Sequence, residues 1–289
     1  MKTPECLWPV AAQVGESPVW VPSEQALYFV DIYGDVLHRY HPASGAKHSQ
    51  PAATRLSGLV PMKGGGFLAS AAHTIGALEA TNGQITPWHT LTDEPTSNRL
   101  NDGKCSPAGR YYTGSMDENK KDGTGKLYLL DTDRSLRSVD DDYIISNGPA
   151  FSPDGRTMYH ADTTRYVLYR FTVAADGTPS GKHVFLNFTE ADGRPDGMTT
   201  DTDGCLWLAH AMGHRVTRYT PEGKVDREIR LPVSKVTSMA FGGNDYRTLF
   251  ITTAKIGLDA AALVEQPLAG ALFCVEPGVQ GLPAAAFGA

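Results

Sequence analysis

The chain of 289 residues sets 26 Lys and Arg against 32 Asp and Glu, a net charge of -6, with 41% hydrophobic and 20% charged residues. That is globular composition with enough apolar mass for a substantial core, which excludes disordered and collagen-like chains. An acidic surface without a basic patch interleaved with aromatics excludes nucleic acid as a partner, and no apolar run of about 18 residues is present to span a bilayer.

At the N-terminus, Pro4, Glu5 and Pro9 interrupt the stretch where a signal peptide needs an apolar segment, so a cytoplasmic protein is expected. Asn187-Phe188-Thr189 matches a glycosylation acceptor, but that modification requires secretion. Cys6, Cys105, Cys205 and Cys274 are scattered without a C-x-x-C pair, so neither a thiolate metal site nor a disulfide frame is expected.

Short runs of β-branched and aromatic residues recur along the chain, each followed by turn residues, and helical periodicity is nearly absent. In order they are Leu27 to Asp31, Phe67 to Ala69, Tyr111 to Gly114, Met158 to Asp162, Leu206 to Ala209 and Leu249 to Thr252. Five steps from Leu27 to Leu249 give a mean period of about 44 residues, the size of a four-stranded propeller blade. Second strands follow at Val36 to Tyr40, Lys126 to Leu130, Val167 to Phe171 and Arg215 to Tyr219, so each repeat contains a hairpin. The expected fold is all-β: one domain over residues 1–289, a six-bladed β-propeller with four antiparallel strands per blade. One helix is expected, near Asp259 to Gln266, stopped by Pro267 and Gly270.

Aligning the repeats on the turn before each strand places Asn101, Asn147 and Asp196 eight residues ahead of Gly109, Gly155 and Gly204. Glu16 stands eight ahead of Glu24. Equivalent positions on different blades converge near the central channel, so two carboxylates and two carboxamides would meet there as an oxygen-only, hard-cation site. Repeated turn chemistry explains Asn-Gly and Asp-Gly, but not Glu16 before Ser-Pro-Val-Trp. The other two repeats offer Ser57 and Thr237 or Ser238 as neighbouring hydroxyls. Arg99, two residues before Asn101, would share its direction by strand alternation, offering its fork of donors to a substrate or to a blade-to-blade ion pair.

Other patterns lead nowhere. Gly15-Glu16-Ser17-Pro18-Val19 lacks the closing glycine of a nucleophile elbow, and the stretch from Asp131 has Leu136 where a calcium loop needs glycine. His210 and His214 sit in a hairpin, where their spacing does not share a face, and a structural reading is preferred; His73 and His160 are ambiguous.

Gly15-Glu16-Ser17-Pro18-Val19-Trp20, Arg99-Leu100-Asn101-Asp102-Gly103-Lys104, Ser146-Asn147-Gly148-Pro149, Pro195-Asp196-Gly197-Met198, Phe241-Gly242-Gly243 and Gln266 to Gly270 together closely resemble the SMP-30/gluconolactonase/LRE family, nearly end to end. The resemblance implies a six-bladed propeller with one divalent cation held by Glu16, Asn147 and Asp196. It implies substrate contacts from Arg99 and Asn101, which moves Asn101 one shell outward from the ion, and an acidic substrate contact for which Glu118 is the match, displaced by one. The expected activity is metal-assisted hydrolysis of a sugar lactone such as glucono-, xylono- or arabinonolactone, with Asp196 also acting as base. Calcium is the first expectation for the ion; magnesium, manganese, zinc and ferrous iron are alternatives. A calcium-linked regulatory protein and a phosphotriesterase or aryl esterase are the rival activities. The expected partner is a small sugar lactone, with no membrane and no nucleic acid, and the closed ring favours a monomer.

Overall fold

A computed structural model describes residues 3–288. It contains six four-stranded antiparallel sheets arranged as the blades of a propeller, and almost no helix. The innermost strands are Gly15–Val21, Leu56–Pro61, Asn98–Cys105, Ser146–Phe151, Arg194–Thr200 and Val236–Gly242, which begin blades 1 to 6. All six sequence repeats occupy the second strand of their blade, and the hairpin partners occupy the third.

Burial falls from the centre outwards: the innermost strand of blade 1 is almost wholly buried, whereas its outermost strand, Ala46–Pro51, is mostly exposed. The core therefore lies between facing sheets. Trp207, Val216, Met239, Phe241, Ile251 and Phe273 interdigitate between blades 5 and 6, and Trp20 of blade 1 stacks on Phe250 of blade 6 at 5.7 Å and 9°. Neither blade could bury these faces alone, so the ring is the unit of stability.

Blade 6 joins the two ends of the chain. Its outermost strand is Glu5–Trp8, paired antiparallel with Leu272–Val275, with Glu5 opposite Cys274. This closing strand was not expected from the repeats, because its partner lies more than 260 residues away. The expected helix is present as Ala260–Glu265, capped by the Asp259 carboxylate on Ala262 N at 2.8 Å. All four cysteines are free thiols, and among the described residues no helix is long and apolar enough to cross a membrane.

Two devices shape the channel end where the innermost strands begin. Each innermost strand shifts register just after its start, for example between Glu16 and Val19, Leu100 and Gly103, and Pro195 and Met198. Such bulges re-aim side chains that simple alternation would send elsewhere. In blades 1, 3 and 4 a buried aspartate then ends the second strand and gathers nearby loop N–H groups. Asp31 accepts from Gln13, Val14 and Gly34, Asp117 from Asn119, Lys121 and Asp122, and Asp162 from Ile144, Thr164 and Arg165. These carboxylates hold the loops around the channel mouth in place.

The opposite end is crossed by the C-terminal tail. Gly281 bridges Asp201, Phe287 bridges Met62, and Gly288 N donates to Gly109 O at 2.9 Å, so the tail runs from blade 5 across to blades 2 and 3. Between the tail and the site end lies a cavity of about 110 Å³ lined by residues that include Pro18, Lys104, Pro149, Met198, Met239 and Leu282.

Candidate functional site at the channel mouth

Glu16, Asn101, Asn147 and Asp196 all lie in innermost strands, at the end where those strands begin. Glu16, Asp102, Asn147 and Arg99 are no more than 5% exposed, and Asp196 is half-buried.

Three carboxylates share this region. Each is held by the next residue along the chain: Glu16 Oε2 accepts from Ser17 N at 2.9 Å, Asp102 Oδ1 from Gly103 N at 2.7 Å, and Asp196 Oδ1 from Gly197 N at 3.0 Å. Ser17 takes φ 46, a left-handed conformation that a serine adopts only at a cost. It is part of how blade 1 turns Glu16 inward. Gly197 is required by crowding, since a Cβ there would stand 2.8 Å from the Thr237 carbonyl oxygen and against the Ser238 side chain.

The three carboxyls repel one another. Burial first, then the charges of Asp196 and Asp102, push the Glu16 pKa well above the carboxylate range. Burial and then Asp102 do the same to Asp196. Burial also raises Asp102, although Lys104 and the N–H groups of Gly103 and Gly148 work against it. Asp102 was missed in the sequence reading, and strand alternation is the reason: it points Asp102 away from Asn101, whereas the bulge between Leu100 and Gly103 contains both.

A chain of hydrogen bonds runs beside the carboxylates. Arg99 Nη1 donates to Asn101 Oδ1 at 2.8 Å, Asn101 Nδ2 to Asn147 Oδ1 at 3.0 Å, Asn147 Nδ2 to Thr163 Oγ1 at 2.8 Å, and Thr163 Oγ1 to Pro195 O at 2.7 Å. Asn101 thus uses its oxygen on Arg99 and its amino group on Asn147 and Ser146 O. It sits between the arginine and the second amide. Thr163 holds the Asn147 amino group, which leaves the Asn147 oxygen as the only part of that amide able to meet a cation.

Glu118 joins the same chain despite its displaced register. Its Oε1 lies 3.3 Å from Arg99 Nε and 3.4 Å from Arg55 Nε, and the Tyr33 ring packs under both guanidinium groups at 5.5 and 4.3 Å. Arg99 Nε is buried and faces Glu118 as an ion pair without an aligned hydrogen bond.

Ser57 and Thr237 do not join the carboxylates. Ser57 Oγ donates to Leu100 O at 3.1 Å and Thr237 Oγ1 to Gly15 O at 2.5 Å, so each ties its innermost strand to that of the next blade. Ser238 Oγ is buried without a partner. His160 and His210 are buried among aromatic rings, and His73 is bound to Asn98 O at 2.6 Å, all structural placements.

Among the described residues no three His, Cys, Asp or Glu side chains are close enough to ligate one ion unaided, so a cation here would also need the Asn147 oxygen. The donor chemistry fits a hard divalent ion: oxygen atoms only, in excess negative charge, fixed by backbone N–H groups.

Residues 14–255 match the family model described as SMP-30/gluconolactonase/LRE-like region. The chain is 36% identical over 284 residues to a 6-deoxy-6-sulfogluconolactonase of Pseudomonas putida, covering 97% of both chains. It is 35% identical over 287 residues to regucalcin of Oryctolagus cuniculus, covering 96% of both. Among solved structures, a calcium-binding regucalcin from Agrobacterium tumefaciens superposes with a TM-score of 0.93 at 28% identity, covering 99% of each chain.

Proposed function

The chain belongs to the SMP-30/gluconolactonase/LRE-like family, and from that premise we propose that it hydrolyses a sugar lactone to the aldonic acid, using one divalent cation at the channel mouth. The observation that carries this reading is the grouping of three mutually repelling carboxyls, two of them buried and Asp196 half-buried, beside an amide chain that ends in an arginine. The lactonase name of the Pseudomonas relative supports the reaction class.

Glu16, Asn147 and Asp196 would hold the ion, calcium first among oxygen-preferring candidates. When bound, it would polarise the lactone carbonyl and offset negative charge developing on the oxygen. The chain's own groups account for the rest. Arg99, with its unaligned Nε–H, and Asn101 would bind ring hydroxyls and select sugars over simple esters. Glu118 would orient Arg99 and accept from a hydroxyl. Asp196, at the open side of the carboxylate group, would take a proton from the attacking water as the new C–O bond forms. It would return that proton to the ring oxygen as the ester bond breaks, leaving a hydroxy acid.

A second reading is favoured by the likeness to the calcium-binding regucalcin of Agrobacterium: a propeller that binds the ion without turnover. Hydrolysis of glucono-, xylono- and arabinonolactone, followed with a pH indicator before and after chelation, separates the two. Turnover that vanishes with chelator and returns with calcium supports the lactonase. Turnover that survives complete chelation, or Asp196→Asn at the rate of the parent protein, refutes the mechanism.

A further inference from the structure

Several cations stand around the channel mouth without carboxylate partners among the described residues. Arg55, Arg99 and Arg165 in the same region are each held by an acid, but among the described residues Lys120, Arg194 and Lys235 have no ion pair. They come from three blades. Arg194 opens the innermost strand of blade 5, Lys235 directly precedes that of blade 6, and Lys120 lies in the loop after Tyr111–Asp117 of blade 3.

Each is held in place by groups that leave its charge intact. The Lys235 ammonium donates to Ile256 O and retains two further N–H donors. Arg194 Nε donates to Tyr166 Oη at 3.1 Å, with its guanidinium 5.4 Å from the Tyr166 ring centre, so its terminal nitrogens remain available. The Lys120 loop is pinned by the Asp117 carboxylate through Asn119, Lys121 and Asp122 N. Burial first, and then the nearby positive charges of Lys120 and Arg194, lower the Lys235 pKa from the usual lysine value. Arg194 pairs with Ala211, and Ala211 bridges Lys235, so these two cations are neighbours across one strand, and the Lys120 loop lies at the same end of the ring.

Holding like charges together without counter-ions costs energy, and an anion entering between them would relieve that cost. Arg194 lies two strand residues, about 7 Å, outward of Asp196. That is about the reach from the carbonyl of a 1,5-hexonolactone to the anionic oxygens of a group carried on carbon 6, the end of the sugar chain.

We propose that Lys120, Arg194 and Lys235 form an anion-binding subsite, and that the lactone hydrolysed here carries an anionic substituent at the end remote from its carbonyl. This rests on the lactonase reading for the reaction, but not for the binding. Arg99 and Asn101 would hold the ring, and the three cations would hold its charged tail. A phosphate ester and a sulfonate share the required chemistry, and differ in carrying about two charges and one.

The calcium-loaded protein is assayed with glucono-1,5-lactone, its 6-phosphate and its 6-deoxy-6-sulfonate at low and high salt. Either charged lactone should exceed the neutral one in kcat/KM by about tenfold or more at low salt, and the gap should narrow as salt screens the mouth. The ratio between the two charged lactones identifies the headgroup. The combined Lys120→Gln, Arg194→Gln and Lys235→Gln protein should lower that charged-to-neutral preference by about fivefold or more, chiefly through KM. Calorimetry with gluconate and 6-phosphogluconate tests the subsite apart from turnover. If no lactone is hydrolysed, the reaction assignment falls, while tighter binding of 6-phosphogluconate that the triple variant abolishes still supports the subsite. A neutral lactone turned over as well as both charged ones, or a preference unchanged in the triple variant, overturns the proposal.

Discussion

Replacing Asp102 with asparagine removes one of three clustered negative charges, but Gly103 N donates to one carboxylate oxygen and Gly148 N to the other, so the amide oxygen can serve only one of them. Two unit charges 4–6 Å apart at an effective dielectric of 20 interact by about 3–4 kcal/mol. Part of that gain is lost because the amide oxygen accepts more weakly than a carboxylate and the amide NH2 leaves the other glycine N–H without its acceptor. A net stabilisation of about 1–2 kcal/mol is expected for the protein in chelator, a rise of a few degrees in Tm for a chain of this length. With calcium the sign reverses, because the lost charge now attracts the ion, and affinity should fall by about tenfold or more. Thermal denaturation of parent and Asp102→Asn proteins at pH 8, with chelator and with calcium, reads both effects. A shift of the same sign under both conditions would refute the claim that Asp102 belongs to a cation-binding charge cluster.

Arg99→Lys retains the charge but loses the fork that reaches both Asn101 Oδ1 and Glu118; kcat/KM for gluconolactone should fall by about a hundredfold with little change in Tm, whereas a change within about twofold would remove Arg99 from substrate binding. Burial depresses His38 to about 4 and His160 and His210 to about 3. The unfolded chain therefore takes up protons first, and stability should drain away as pH falls from about 6.5 towards 4, by about 2 kcal/mol per histidine at pH 5. Urea midpoints at pH 7 and 5 measure it, and a midpoint that holds or rises on acidification contradicts the assignment. Deleting residues 1–8 strips the closing strand, exposes the Leu272–Val275 edge and removes Trp8 from Phe29 and His38. Chromatography and denaturation should then show self-association and a lower Tm, and an equally stable protein of unchanged size would show that the closing strand is dispensable.

The blades were legible because each second strand is a short apolar run with its own turn, and six such runs at one spacing have few alternative explanations. The ring's closure was not, because Glu5–Trp8 belongs to no repeat and its partner is remote in sequence. At the mouth, Arg99 and Asn101 were read correctly as sharing a direction, since no extra residue separates them. Alternation failed one residue later, where the bulge turns Asp102 inward. Ser57 and Thr237 showed the converse: a shared register brought them to the centre, but their hydroxyls were taken up by carbonyls of adjacent strands. Glu118 lies in a loop, where spacing sets no direction, and only Tyr33, Arg55 and Arg99 show where it points.

The tail that runs from Gly281 to Gly288 across the far end turns the channel into a cul-de-sac. Under the lactonase reading, traffic would be single file: a product formed beside Asp196 would depart through the doorway by which its precursor arrived. A lingering acid would bar the next arrival, so accumulated product should compete with substrate rather than act from a separate exit.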